Sequence, residues 1–324
     1  MPAASPLRES LSCSRKTPPC DTQSDHKTES YIERSELRRN LYACRGPVPD
    51  DLILSESQLS RVEPGTGAER AFGGSANIEC VYHLEKKVAI KVLRSLLSVK
   101  TPYTDFLTKE FYHELAIWYS LQHVHILPLL AVVSWGPHDD ALCLVSPWQE
   151  NGNAQDYLDV KKSELTDLEY IKIVNELLLQ VLLGLGYMHQ NGVVHGDLKG
   201  RNILIGDDKK VLICDFGSST CSEIDSKIKP SSGYWIAPEV RVDLKTPTPA
   251  ADVYSFGCMC VEFYTSEKPF KGSQHLAIIE GRATLHQPSN MDLTLWEGVR
   301  RCCEIKASDR PTIDALIGIF SRHV

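Results

Sequence analysis

The sequence predicts an α+β fold of two unequal lobes: a small lobe built on a five-stranded antiparallel sheet with one helix, and a larger, mainly helical lobe. Three observations carry this. Short strand-like runs crowd the chain before residue 150. One segment among them, Thr108–Leu121, has apolar side chains at helical spacing. Beyond Gly152 the long apolar-periodic stretches are helical. Strands first and helices after describe a sheet lobe resting on a helical lobe.

Residues 1–53 are rich in Ser, Thr, Pro and charge and hold few large apolar side chains. They are expected as a disordered or loosely docked tail, because they cannot bury enough surface to order alone. Within them, Ser30–Leu41 has the charge alternation of one short helix around Tyr31, Ile32 and Leu37. The domain proper is expected over 54–324, with the small lobe at 54–149 and the large lobe at 150–324. Ile78–His83 and Val88–Leu93 read as neighbouring strands across the turn Leu84-Glu85-Lys86-Lys87. The helix at Thr108–Leu121 turns Phe111, Leu115, Trp118 and Leu121 to one side. Ile126–Val133 and Ala141–Val145 read as two further strands around Gly136–Asp140. Helices are expected at Leu168–Met188, Thr248–Tyr264, Gln274–Glu280, Leu293–Glu304 and Thr312–Phe320.

The composition is that of an ordinary globular chain: of 324 residues, 42% are hydrophobic and 24% charged. A net charge of -7 argues against a nucleic-acid partner, which would call for a basic excess. The eleven cysteines form no Cys-x-x-Cys pair and resemble neither a disulfide frame nor a zinc site, so reduced thiols in the cytoplasm or nucleus are expected. The N-terminus has no apolar core of a secretory signal. No apolar run approaches the ~20 residues of a membrane span, and Leu177–Leu185 fits a buried helix.

The chemistry concentrates in His195-Gly196-Asp197-Leu198-Lys199-Gly200-Arg201-Asn202, which follows the long helix. Asp197 is the candidate catalytic base for an attacking hydroxyl. Lys199 places a cation where it can steady a transferring phosphoryl group. Asn202 offers a neutral oxygen to Mg²⁺, a hard ion that prefers oxygen ligands. A strand, Val211–Cys214, leads to Asp215-Phe216-Gly217, where Asp215 is the candidate main metal carboxylate and Gly217 lets the chain turn. Upstream, Val88-Ala89-Ile90-Lys91 sets one lysine in an apolar strand. A charge there is costly unless paired, and the expected partner is Glu114 on the next helix. Such a pair would hold Lys91 against the α- and β-phosphates of ATP.

Together these residues resemble the catalytic domain of a eukaryotic protein kinase, over roughly residues 55–324. Ala237-Pro238-Glu239 resembles the motif that closes the activation segment. Asp252–Gly257 resembles the start of the central large-lobe helix. Arg310 resembles the late arginine that pairs with the glutamate, here Glu239. Lys199, Ser232 and Trp235-Ile236-Ala237-Pro238-Glu239 are similar to the tyrosine-kinase-like group of Ser/Thr kinases. The resemblance implies the bilobal kinase fold, ATP and Mg²⁺, protein substrates and Ser/Thr specificity. It also implies a hinge at Ser146-Pro147-Trp148-Gln149, with Ser146 as a small gatekeeper. Ala89, Ile78 and Leu204 would sandwich the adenine.

Two departures stand out. Against the family pattern G-x-G-x-x-G-x-V, the loop Ala71-Phe72-Gly73-Gly74-Ser75-Ala76-Asn77-Ile78 keeps only Gly73; Ala71 and Ala76 replace the outer glycines. That substitution raises the alternative of a pseudokinase scaffold that binds nucleotide weakly and acts through protein contacts. Gly196 stands where many kinases carry an arginine before the catalytic Asp. A phosphate on the activation segment would lack its usual partner, so activity is expected not to require phosphorylation within Ser218–Ser232.

Overall fold

The computed structural model describes residues 25–44, 48–62, 71–72, 76–93, 104–135, 142–224, 233–241, 246–270, 277 and 283–324. Helix α1 (Asp25–Cys44) comes first. The small sheet follows as β1 (Ile53–Leu54), β2 (Leu59–Arg61), β3 (Ala71–Phe72), β4 (Ala76–His83) and β5 (Lys86–Leu93). Helix α2 (Thr104–Ser120) intervenes before β6 (Ala131–Ser134) and β7 (Leu142–Pro147). The strand order is β1-β6-β7-β5-β4-β2, with β3 also on β4. All pairs are antiparallel except β1 with β6, where Ile53 lies opposite Val132.

The five expected strands become seven segments for two reasons. β2 and β3 share one edge of β4: Leu59–Arg61 pair His83–Val81, and Ala71–Phe72 pair Ile78–Asn77. The two-residue β1 is too short to show a period. The β4–β5 turn is two residues and not four. Leu84 (φ 47) and Glu85 (φ 62) both take positive φ, as tight hairpin turns require, and Lys86 and Lys87 extend the ladder.

Period-two burial decides which side chains of β5 face where. Val88, Ile90 and Val92 enter one apolar cluster with Val81, Val133, Cys143 and Val145. Leu93, on the other face, joins the main core with Phe111, Leu115 and Trp118 of α2. Lys91 shares that second face, which turns it toward α2.

The large lobe comprises α3 (Ala154–Glu164), α4 (Asp167–Gln190), β8 (Val193–Val194), β9 (Ile203–Ile205), β10 (Val211–Ile213) and β11 (Thr220–Cys221). Among the described residues, helices α5 (Pro238–Arg241), α6 (Pro249–Thr265), α7 (Leu293–Cys302) and α8 (Ile313–Phe320) follow. Helix α3 was not expected from periodicity; Asn153 caps it by accepting from the Asp156 amide at 3.0 Å. The helix expected at Gln274–Glu280 lies outside the described residues apart from Ala277. Helix α4 opens on a capping box of Thr166 and Glu169. By length and composition it could cross a membrane, yet Val174, Leu178, Val181, Leu182 and Leu185 are wholly buried in the core. Almost every side chain of α6 from Ala251 to Tyr264 is buried, which makes it the axis of this lobe.

Helix α1 contains the short helix expected at Ser30–Leu41 and runs beyond it at both ends. Arg38 and Leu41 on it are buried, and Leu41 joins the main core. The disorder expected there does not hold for residues 25–44, and β1 likewise puts Ile53 into the sheet. The lobes are joined where Leu127 N donates to Ile213 O and Ile213 N to His125 O, each at 2.9 Å.

Candidate active site

Strand β5 and helix α2 bring the first pair together. Lys91 Nζ lies 2.5 Å from Glu114 Oε1 and 2.6 Å from Asp215 Oδ1. Asp215 reaches this point because it takes φ 66 two residues after β10. A left-handed aspartate is strained by about 1 kcal/mol or more, and such strain gathers at working sites. Phe216, next in the chain, is buried between Trp118 of α2 (ring centroids 5.7 Å apart) and His195 (6.0 Å). Its burial holds the aspartate in place. Burial alone would lower the Lys91 ammonium's pKa, but the Asp215 and Glu114 carboxylates outweigh it and hold it well above its ordinary value. Burial would raise Asp215, but Lys91 holds it below the usual carboxylate range. Both groups therefore stay charged.

The loop between β8 and β9 brings the second set together. Asp197 Oδ2 accepts from Lys199 Nζ at 2.5 Å and from Asn202 Nδ2 at 3.0 Å. Asn202 Nδ2 also donates to the Asp197 carbonyl at 2.7 Å, and the Asn202 carbonyl accepts from Cys214 N at 3.0 Å. That last bond ties the loop to the residue before Asp215. Two buried carboxylates of α6 support the loop from below. Asp252 accepts from His195 N (2.8 Å) and Gly196 N (2.9 Å), with His189 Nε2 at 2.8 Å. Glu262 Oε2 accepts from Gly200 N (3.0 Å) and Trp235 Nε1 (2.9 Å). Burial pushes the Glu262 carboxyl up to about 7. These supporting roles were not read from the sequence. The signal was available as two acids inside an otherwise apolar helix, where each needs a partner.

The expected hinge occupies the end of β7 and the residues after it. Ser146 is buried opposite Ala89, and Pro147 lies opposite Val88. Ile78 lies opposite Lys91. Ile78, Ala89 and Leu204 are half-buried while Ile90, Ile203 and Ile205 beside them are wholly buried, as cleft-lining and core side chains should differ. Trp148 N donates to the Lys87 carbonyl at 3.2 Å. Gln149 Nε2 donates to the Pro147 carbonyl at 3.3 Å, and that oxygen keeps a second lone pair for an adenine amino group.

The loop expected at Ala71–Ile78 is bracketed by two paired strands, β3 and β4. Ala71 belongs to β3 opposite Ile78, and Ala76 lies within β4 opposite Leu93 with its side chain buried in the main core. Gly73, Gly74 and Ser75 lie outside the described residues, as does Ser232.

No group of three or more His, Cys, Asp or Glu side chains among the described residues forms a metal cage. The Asp215 carboxylate and the Asn202 amide offer oxygen donors only. That chemistry fits a hard divalent cation that completes its shell with water and substrate phosphate.

A family model described as protein tyrosine and serine/threonine kinase matches residues 71–320. The serine/threonine/tyrosine-protein kinase HT1 of Arabidopsis thaliana is 28% identical over 326 residues, covering 94% of this chain and 81% of the relative. The serine/threonine-protein kinase STY46 of the same plant is 26% identical, covering 91% and 50%. The mitogen-activated protein kinase kinase kinase dlk-1 of Caenorhabditis elegans is 28% identical, covering 86% and 29%. The chain thus spans half or less of the length of the last two.

Proposed function

The chain belongs to the protein tyrosine and serine/threonine kinase family, and from that premise we propose that it transfers the γ-phosphoryl group of Mg-ATP to Ser/Thr hydroxyls of protein substrates. The observation that carries this reading is the closed contact of Lys91 with Glu114 and Asp215, at 2.5 and 2.6 Å. A lysine so held presents one fixed positive charge to the cleft, and a buried Glu114 keeps it from drifting. Asp197 accepts or orients the proton of the attacking hydroxyl. Lys199, 2.5 Å from Asp197, steadies the charge on the transferring group. Ile78, Ala89 and Leu204 supply apolar faces for the adenine, and Ser146–Gln149 supply backbone polar groups at its edge. Asp215 and Asn202 would hold Mg²⁺ through their oxygens, and the bound ion would supply charge neutralisation at the phosphate oxygens. The cysteines described are free thiols, which supports a reducing compartment, cytoplasmic or nuclear.

The test is phosphosite mapping of wild type and Asp197→Asn after incubation with Mg-ATP and a peptide library. Wild type should label Ser/Thr peptides, and the variant should fall by about 10²–10⁴-fold with unchanged circular dichroism. Nucleotide binding without turnover by the wild type would instead favour the scaffold reading.

A further inference from the structure

Helix α1 carries two arginines into the body of the molecule. Arg34 Nη1 donates to the Ser120 carbonyl at 2.5 Å and to the Tyr187 hydroxyl at 2.6 Å. Arg38 is wholly buried and touches three elements at once. Its Nη1 lies 3.3 Å from Ser120 Oγ at the end of α2; its Nη2 lies 3.0 Å from the Asn191 carbonyl after α4 and 3.1 Å from Glu223 Oε1. Glu223 follows β11, whose partner β8 runs directly into His195 and the catalytic loop. A second thread runs beside the first. The Tyr42 ring of α1 meets the His113 ring edge-on at 6.1 Å, and His113 Nε2 lies 2.8 Å from the Ser219 carbonyl. His113 is the neighbour of Glu114.

Stability alone is a poor reason for this pair. A buried ion pair rarely outperforms apolar packing, and Arg38 Nε is buried with no hydrogen-bond partner among the described residues. What the pair does supply is register, since it fixes α1, α2 and the segment after Phe216 relative to one another. Burial would raise Glu223, but Ser35 and Arg38 outweigh it and push its carboxyl down to about 2, so the charge persists. Gly196 cannot supply a comparable tether, because it has no side chain and a Cβ there would meet the Ser218 carbonyl at 2.5 Å.

We infer that Arg38 is a positioning residue for phosphoryl transfer: through Glu223 and Ser120 it locks the segment after Asp215-Phe216-Gly217 against α2, which makes α1 part of the working kinase. The inference rests on the kinase reading above, and the experiment separates the two. Full-length Arg38→Met/Glu223→Gln leaves no buried charge unpaired, and Arg38→Glu is compared with the reversed pair Arg38→Glu/Glu223→Arg. Each is assayed for kcat, for KM of ATP, for melting temperature and for amide hydrogen exchange over residues 219–224. The neutral pair should lose about ten-fold in kcat with KM for ATP nearly unchanged, and exchange at 219–224 should rise by about ten-fold while α6 stays protected. The reversed pair should recover activity relative to Arg38→Glu alone. Unchanged exchange at 219–224 in the neutral pair would overturn the inference, as would a kcat loss no larger than the loss of folded protein. A wild type that transfers no phosphate would defeat the kinase reading, and the exchange measurement would still decide whether the tether exists.

Discussion

Gly196 and Ser218 are in backbone contact: a Cβ built on Gly196 would stand 2.5 Å from the Ser218 carbonyl oxygen, and the glycine's φ of 77 is one that L side chains rarely adopt. The catalytic loop and the start of the activation segment therefore pack without a side chain between them. Gly196→Ala should force the two apart and lower stability by about 1–3 kcal/mol. Because Gly196 N also donates to Asp252, kcat should fall further than the melting temperature implies. Thermal melts and initial rates on the same preparation check this, and a fully active alanine variant would contradict it.

The same contact bears on phosphorylation. Ser219 Oγ donates to the His195 carbonyl at 3.0 Å, and both Ser219 and Thr220 are buried. Their alanine variants should lose activity through packing, and Ser232→Ala through the contact with Asp197 that the kinase resemblance implies. Single Ser→Ala changes at 218, 222, 226 and 231 should keep at least about half of wild-type activity, because Gly196 offers a phosphate no cation. Phosphatase treatment of the wild type should leave its initial rate unchanged; a loss would mean that another group reads a phosphate there.

Arg310 meets Glu239 with both nitrogens, at 2.6 and 2.8 Å, and donates to the carbonyls of Ala250, Glu304 and Ile305. Arg310→Met would strand the partly buried carboxylate and three carbonyl groups. The expected cost is about 3–5 kcal/mol by denaturant unfolding. Arg310→Lys should recover only a part, since a point charge cannot reproduce the fork.

Glu262 gives a pH signature of its own. Its carboxyl sits at about 7 in the fold against an ordinary 4.5. A raised folded value means a contribution fully present below pH 4.5 and lost as pH climbs through 7. Glu262→Gln, whose amide oxygen can accept the same bonds, should abolish that loss. Relative to wild type it should gain on the order of 1–3 kcal/mol between pH 5 and pH 8. Parallel slopes of unfolding free energy against pH for the two proteins would refute the assignment.

Lys91, Glu114, Asp197, Lys199, Asn202 and Asp215 are legible in the sequence, because phosphoryl transfer needs those residue types in short motifs, and a charge inside an apolar strand advertises its need for a partner. The main helices were legible because apolar period reports burial. Tertiary contact decided the rest. Whether Ala76 is loop or core depends on its pairing with Leu93. Asp252 and Glu262 became supports of the catalytic loop only when α6 was laid beneath residues about sixty positions earlier. Arg38 meets Glu223 across 185 positions of chain. Local pattern records what each residue needs, and only the packed chain determines which distant group satisfies it.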